Sequence, residues 1–307
     1  MCTGEQRTLG SRTMSKLGKL VKPYRVEDGK HLRLRDFDPA DIDKMRSKQQ
    51  AAAELQRGVD QLRDWQDKLY AQHQWAILLI FQAMDAAGKD STIKHVMSGV
   101  NPAGCQVYSF KAPSEVEPNH DYLWRTTLLL PERGRIGIFN RSYYEEVLVV
   151  RVHEALLKQQ KIPPSLIRNH IWKERFDDIC AFERYLSPNG IVIRKFFLNL
   201  SKAEQSKRFL ARLEEPEKHW KFSAADINER EYWDDYTAAY EDMIRHTATP
   251  WAPWYIVPAD HKWFTRIVVA AAIVDTLAGL DLSYPKVDPQ KQKQLEEARQ
   301  FLHNGKS

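Results

Sequence analysis

The apolar positions of this chain fall into short unbroken runs separated by longer amphipathic stretches. In "WAILLIFQAM" (75–84) apolar residues follow one another without alternation. Neither face of such a run can meet water, so it reads as a strand buried on both sides of a parallel sheet. "CQVYSF" (105–110), "RIGIFN" (135–140), "GIVIRKFFLNL" (190–200) and "WYIVPA" (254–259) read as four more strands. Between them the period lengthens. Helices are expected over "PNHDYLWRTTLLL" (118–130), "SYYEEVLVVRVHEALL" (142–157), "SLIRNHIWKERFDDICAFERYL" (165–186) and "KWFTRIVVAAAIVDTLAGL" (262–280). Ahead of the first strand, Ile42, Met45, Leu55, Val59, Leu62 and Leu69 partly follow helical spacing. Strands alternating with helices predict the α/β class: a three-layer αβα core around a mostly parallel five-stranded sheet.

The same pattern divides the chain. Residues 1–38 read as an extended basic arm, 39–74 as a helical segment and 75–307 as the core. The stretch of about 201–247, between the fourth and fifth strands, is helical and highly charged. It opens on a capping box, Ser201 with Glu204. In P-loop kinases an insertion at this place often forms a lid over the phosphates.

The first strand runs into "AMDAAGKDST" (83–92), which nearly fits the phosphate-binding pattern G-x-x-x-x-G-K-[ST]. It departs in two places: Ala83 stands at the first glycine and Asp90 at the hydroxyl position. Consecutive backbone N–H groups here (Ala86, Ala87, Gly88), with the start of the following helix, favour an anion. Gly88 permits close approach of the backbone, and Lys89 would reach the transferred phosphate. Asp85 opposes this. Two like charges about 4 Å apart cost roughly 1 kcal/mol in water and several times that at an effective dielectric near 20. Asp85 therefore reads as an acceptor for Mg²⁺ or its waters, or else as a brace for the loop. Asp90 lies in the first helical turn, where a carboxylate suits the dipole, and Ser91 or Thr92 is left to replace the missing hydroxyl. The third strand ends in Asn140 where such folds carry an acid. Glu145, one turn further on, can restore the charge, and Arg141 would neutralise a phosphoryl group in flight.

Composition narrows the field without deciding it. The 307 residues are 43% apolar and 28% charged, an ordinary globular balance. The net charge of +5 fits anionic partners and fits simple solubility equally well. No stretch approaches the about 20 apolar residues of a membrane span. The opening residues lack the apolar core of a signal peptide, and Met14 offers an alternative start. Cys2, Cys105 and Cys180 show no metal-ligand spacing and read as reduced thiols of a cytoplasmic protein.

Two sets of cations remain. In the presumptive lid, Lys202, Lys207, Arg208, Arg212, Lys218 and Lys221 could line up on a linear polyanion. Arg208 and Arg212 share a helical face and are, with Lys207, the principal candidates. The alternative is a solvated charged face, since Glu214, Glu215 and Glu217 lie alongside. Lys111 follows the second strand at the sheet edge where ligands bind, and Arg125 lies on the next helix. Both are candidates for nucleotide phosphates, although Arg125 could instead brace Asp121.

The chain resembles a family-2 polyphosphate kinase. The resemblance rests on "MDAAGKD" at 84–90, "HDYLWR" at 120–125, "FNRSYYEEVLVVRV" at 139–152 and "SKAEQSKRFLARLEEPEKHWKFS" at 201–223. "WDDYTAAYEDM" at 233–243 and "TPWAPWYIVPADHKWFTRI" at 249–267 complete it, over about residues 30–280. It implies a P-loop core with a helical lid and phosphoryl transfer between inorganic polyphosphate and nucleotides (AMP, ADP, ATP), with Mg²⁺ or Mn²⁺. By resemblance Asp85 is the loop acid, Lys89 the loop lysine and Arg141 the Walker-B arginine. Many members carry "FDR" where this chain has Asn140-Arg141; "FNR" with Glu145 is similar to the subgroup that accepts both AMP and ADP. The resemblance also implies a homo-oligomer, dimer or tetramer, with no nucleic-acid or membrane partner. Two rival readings stand beside it: an ATP-dependent nucleoside monophosphate kinase on a similar core, and a non-catalytic polyanion-binding protein. The second leaves Asp85, Lys89 and Glu145 without a purpose.

Overall fold

The structure, a computed structural model, describes residues 16–43, 45 and 48–304. Its strands are β1 (Arg25–Val26), β2 (Ala76–Gln82), β3 (Cys105–Ser109), β4 (Ile136–Asn140), β5 (Ile191–Asn199) and β6 (Trp254–Pro258). They form one sheet in the order β1-β6-β5-β2-β4-β3. β2 is central and runs parallel to β4 and β5; β3 is parallel to β4, and β6 to β5. Strand order therefore reverses on either side of β2. That is the switch point at which ligands of open α/β sheets bind.

The unbroken apolar run of β2 has the expected cause. All seven of its residues are buried, and alternate side chains enter opposite layers. Ile77, Leu79 and Phe81 pack with the helix Lys262–Ala278 and, through Leu62 and Leu69, with Lys48–Gln72. Leu78 and Ile80 pack with Ile171–Leu186, through Phe176 and Ile179, and with Trp233–Thr247, through Met243 and Ile244. Two cores, one on each face of the sheet, make the three layers.

Several elements differ from expectation. The sheet has six strands, not five: β1 comes from the arm and pairs antiparallel with β6. The described part of the arm is also helical at Lys16–Val21, where Leu17, Leu20 and Val21 turn inward onto the first core. Residues 1–15 lie outside the described residues. The helix expected at 142–157 is three pieces, Tyr143–Val147, Val149–Val152 and Glu154–Gln159. It breaks because Tyr143 and Tyr144 are adjacent and both point inward, to one carboxylate oxygen of Glu183. The stretch 118–130 holds a single turn, Trp124–Thr127. A further helix, Pro289–Asn304, follows the core. The charged insertion folds as Lys202–Glu214 and Trp233–Thr247 with shorter turns between them.

Candidate active site

The loop between β2 and the helix Lys89–Val96 takes its shape from two residues in the left-handed region. They are Ala86 (φ 63°) and Gly88 (φ 99°). At Gly88 the missing side chain relieves that strain. Ala83 lies outside the left-handed region, and its methyl group is buried in the first core. Nothing in the backbone demands glycine at position 83, so the first departure from the motif is tolerated. Lys89 is 9% exposed and donates from Nζ to the Ala83 carbonyl at 2.8 Å. Burial, and then the charge of Arg141, pushes its ammonium below the ordinary lysine range, against Asp85, Glu145 and Asp90.

Arg141 stands between two acids. One guanidinium nitrogen is 2.9 Å from Asp85 and the other 3.4 Å from Glu145. Its backbone is left-handed (φ 64°), and its N–H donates to the Phe81 carbonyl at 3.0 Å, which ties the turn after β4 to the end of β2. Burial works against the Arg141 charge, but Glu145 and Asp85 outweigh it and hold the guanidinium above its ordinary pKa. Burial raises the Glu145 carboxyl, partly offset by Arg141 and Lys89. Gln82 is buried beside this turn and donates to the Ser142 hydroxyl at 3.3 Å. Its carbonyl oxygen is buried without a partner. Asn140 is turned elsewhere: Nδ2 donates to Asp90 at 2.5 Å and to the Ser109 hydroxyl at 3.4 Å. A neutral amide at position 140 suits the neighbouring Asp90 carboxylate, and the second departure from the motif is matched by this pair. The Ser91 hydroxyl donates to the Gly88 carbonyl at 3.0 Å.

The helix Lys202–Glu214 is fastened to this loop. The Ser201 hydroxyl caps it, accepting from the Glu204 N–H at 3.1 Å, and Ser201 itself donates to Asp260. Gln205 donates to the backbone carbonyl of Asp85 at 2.9 Å. Arg208, 7% exposed, spends all five N–H groups of its guanidinium. They go to Glu204 (2.9 Å) and to the carbonyls of Ala86 (3.1 Å), Ala87 (2.9 Å), Ala259 (2.6 Å) and Asp260 (3.0 Å). Arg208, expected to meet a polyanion, lines the cavity and clamps the loop. Lys207 is exposed and stands apart from the cavity lining. Arg212 reaches the lining while also pairing with Asp226 at 3.3 Å.

A cavity of about 630 Å³ opens over the loop. The loop, Asn140 and Arg141 form its floor, the segment after β3 one side, and Arg212, Lys218 and Lys262 the other. Lys111 lines it. Arg125 does not; its guanidinium holds the Lys111 carbonyl at 2.9 Å and Glu117 at 3.5 Å, rather than Asp121. The structure thus gathers Asp85, Ala86, Ala87, Gly88, Lys89, Asp90, Ser91, Lys111, Asn140, Arg141, Arg208 and Arg212 around one space, with Glu145 behind Arg141. The sequence reading missed Gln82, Gln205 and Lys262. Lys262 carries a signal that could have found it, a cation just past the carboxyl end of a parallel strand. The two glutamines carry none.

A strand–loop–helix phosphate cradle at the switch point, an arginine between two acids and a helical insertion fastened above define a P-loop phosphotransferase. The family described as polyphosphate kinase 2 (PPK2) matches residues 45–283, and the chain belongs to that family. An ADP-polyphosphate phosphotransferase of Rhodopseudomonas palustris is 52% identical over 92% of this chain and 98% of its own length. An AMP/ADP-polyphosphate phosphotransferase of Meiothermus ruber is 43% identical over 89% of this chain and 98% of its own. The crystal structure of polyphosphate kinase 2 from Arthrobacter aurescens superposes with a TM-score of 0.82 at 37% identity, covering 93% of this chain and 98% of that one.

Proposed function

We propose that this protein transfers phosphoryl groups from inorganic polyphosphate to AMP and ADP with the help of Mg²⁺, Mn²⁺ being able to replace it. The observation that carries the reading is the placement of Asp85, Lys89 and Arg141 on the floor of a cavity that Lys111, Arg212, Lys218 and Lys262 also line, with Glu145 behind Arg141. The names of the relatives from Rhodopseudomonas palustris and Meiothermus ruber supply the substrate class.

The residues present fit a divalent cation. Among the described residues no group of three or more His, Cys, Asp and Glu could hold a metal on its own. Mg²⁺ does not need one; it is commonly held by one or two carboxylates, with waters and substrate phosphates completing the shell. Asp85 and Glu145 are the carboxylates that would hold it, and the unpartnered Gln82 carbonyl oxygen, at the end of β2, lies beside the turn that carries Glu145. An ion held there would neutralise negative charge on the phosphates.

The chain's own groups account for the rest. Loop N–H groups and Lys89 hold the terminal unit of the polyphosphate. The terminal phosphate oxygen of AMP or ADP attacks that phosphorus in line. The bond to the bridging oxygen breaks, and the shortened chain leaves with the electron pair. No hydroxyl proton has to be removed, so no general base is required. Arg141 offsets the charge on the moving phosphoryl group, and Lys111 and Arg212 offset the repulsion between the two anions.

Incubation of the protein with Mg²⁺ and AMP or ADP, with polyphosphate or ATP as donor, tests this. Formation of ADP and ATP with polyphosphate supports it. Turnover with ATP and AMP alone, and none with polyphosphate, overturns it in favour of a nucleoside monophosphate kinase.

A further inference from the structure

We propose that Lys262 binds a phosphoryl unit of the polyphosphate chain behind the one transferred, at the β6 end of the cavity. The inference rests on the reading above and extends it to a residue that reading leaves out.

The sheet order gives the cavity two wings. β3 and β6 lie on opposite sides of the central β2, separated from it by β4 and β5. The end of β3 and the segment after it contribute Ser109, Phe110 and Lys111 to one wing. Lys262, first residue of the helix after β6, forms the other with Arg212 and Lys218 of the insertion. Among the described residues the acids in the lining are Asp85, in the loop between the wings, and Asp90, in the first turn of the helix that follows it.

The wings differ in chemistry. The β3 wing offers one cation, Lys111; the ring of Phe110 is buried there, edge-on to Phe139 and beneath Arg125. The β6 wing offers four cations, Arg208, Arg212, Lys218 and Lys262, and no ring. A polyphosphate chain has no base to recognise and carries a charge on every unit, so a wing of cations alone matches it.

Lys262 is also the wing's uncompensated charge. Lys218 pairs with Glu215, and Arg212 with Asp226. Among the described residues no carboxylate lies within ion-pair distance of Lys262. Glu204, the acid that acts on it electrostatically, is held by Arg208 at 2.9 Å. Lys262 is exposed at the rim, and partial desolvation, then Arg208 and Lys218, push its ammonium below the ordinary range. An anion in the wing would reverse that destabilisation.

Lys262→Gln and Lys262→Arg test the proposal, with polyphosphate binding measured by calorimetry and steady-state kinetics run at several salt concentrations. The Gln variant should bind polyphosphate about tenfold more weakly, the worth of one charge-assisted contact. Its KM for polyphosphate should rise to match while the KM for ADP stays within about twofold. The slope of log affinity against log salt should become shallower by up to about one, as expected when one phosphate contact is lost. The Arg variant should restore both. An unchanged salt slope, or a rise in the ADP KM without one for polyphosphate, overturns the assignment. Absence of polyphosphate turnover by the unmodified protein overturns the proposed function instead, and the calorimetric comparison still judges Lys262. Absence of polyphosphate binding by the unmodified protein overturns both.

Discussion

Arg208 donates to the Ala87 carbonyl at 2.9 Å from a helix more than a hundred residues further along the chain. With its bonds to Ala86, Ala259 and Asp260 it joins the loop, the turn after β6 and the insertion at one point. Its bonds fix the loop carbonyls; of the loop N–H groups, that of Ala87 donates to the Met84 carbonyl at 3.3 Å, and those of Ala86 and Gly88 remain for a phosphate. Arg208→Lys keeps the charge but replaces a five-donor fork by three donors on a single atom. Loop misplacement of an ångström can cost about 10²-fold in rate. We expect kcat to fall by about that factor, with a smaller change in the polyphosphate KM. An anion ligand would give the opposite split, a raised KM with kcat nearly kept, and steady-state kinetics separate the two.

Asp85→Asn should nearly abolish turnover, by about 10³-fold or more, in line with losing a group that acts on transition-state charge. The variant also leaves Arg141 with Glu145 as its remaining anionic partner at the site. The check is a Mg²⁺ titration of turnover with ADP and polyphosphate. Near-normal turnover at saturating Mg²⁺ would remove Asp85 from the metal site.

Much of this arrangement is legible in the sequence because it is local. The run at β2, the Gly88-Lys89 pair and the start of a helix fall within twenty residues, and each depends on its neighbours. Asp85, Arg141 and Glu145 could be placed near one another because two parallel strands end at the same sheet edge. The role of Arg208 is not legible. Helical spacing says which face it shares with Arg212, but not that five acceptors, four of them in distant segments, are waiting there. β1 was missed because two residues are too few to show a period. The breaks at 142–157 were missed because the pull of Glu183 on Tyr143 and Tyr144 is tertiary. Ala83 shows the converse: a motif position asks for glycine only where φ does, and here it does not.

The raised pKa of the Glu145 carboxyl has a consequence for pH dependence. As a metal ligand it acts ionised, so activity should be lost as pH falls through a value above the ordinary glutamate range. Protons and the metal compete for the same carboxylate. The acid limb of kcat/KM should therefore move to lower pH as Mg²⁺ is raised, and pH–rate profiles at limiting and saturating Mg²⁺ report it. A limb that ignores the metal would place Glu145 outside the metal site. For stability the sign is opposite: a carboxyl raised in the folded state favours folding at low pH, and that contribution fades as pH rises through the folded pKa.

Behind the catalytic turn, Lys195 and Glu183 form a fully buried ion pair at 2.6 Å, both with 0% side-chain exposure. Lys195 uses its three protons on Glu183, the Tyr144 hydroxyl and the Thr247 carbonyl. The other Glu183 oxygen accepts from Tyr143 and Tyr144. β5, two helices and the turn that carries Arg141 and Glu145 meet there. Lys195→Met removes one partner and strands the carboxylate, which costs about 3–5 kcal/mol in buried pairs. For a chain of this size that corresponds to a Tm lower by roughly 10 °C. Lys195→Met combined with Glu183→Gln removes both charges and keeps an amide oxygen for the two tyrosines, so the double variant should melt above the single one. Thermal melts of the three proteins decide it; a Lys195→Met protein as stable as the unmodified one would show that the pair is not what holds the turn.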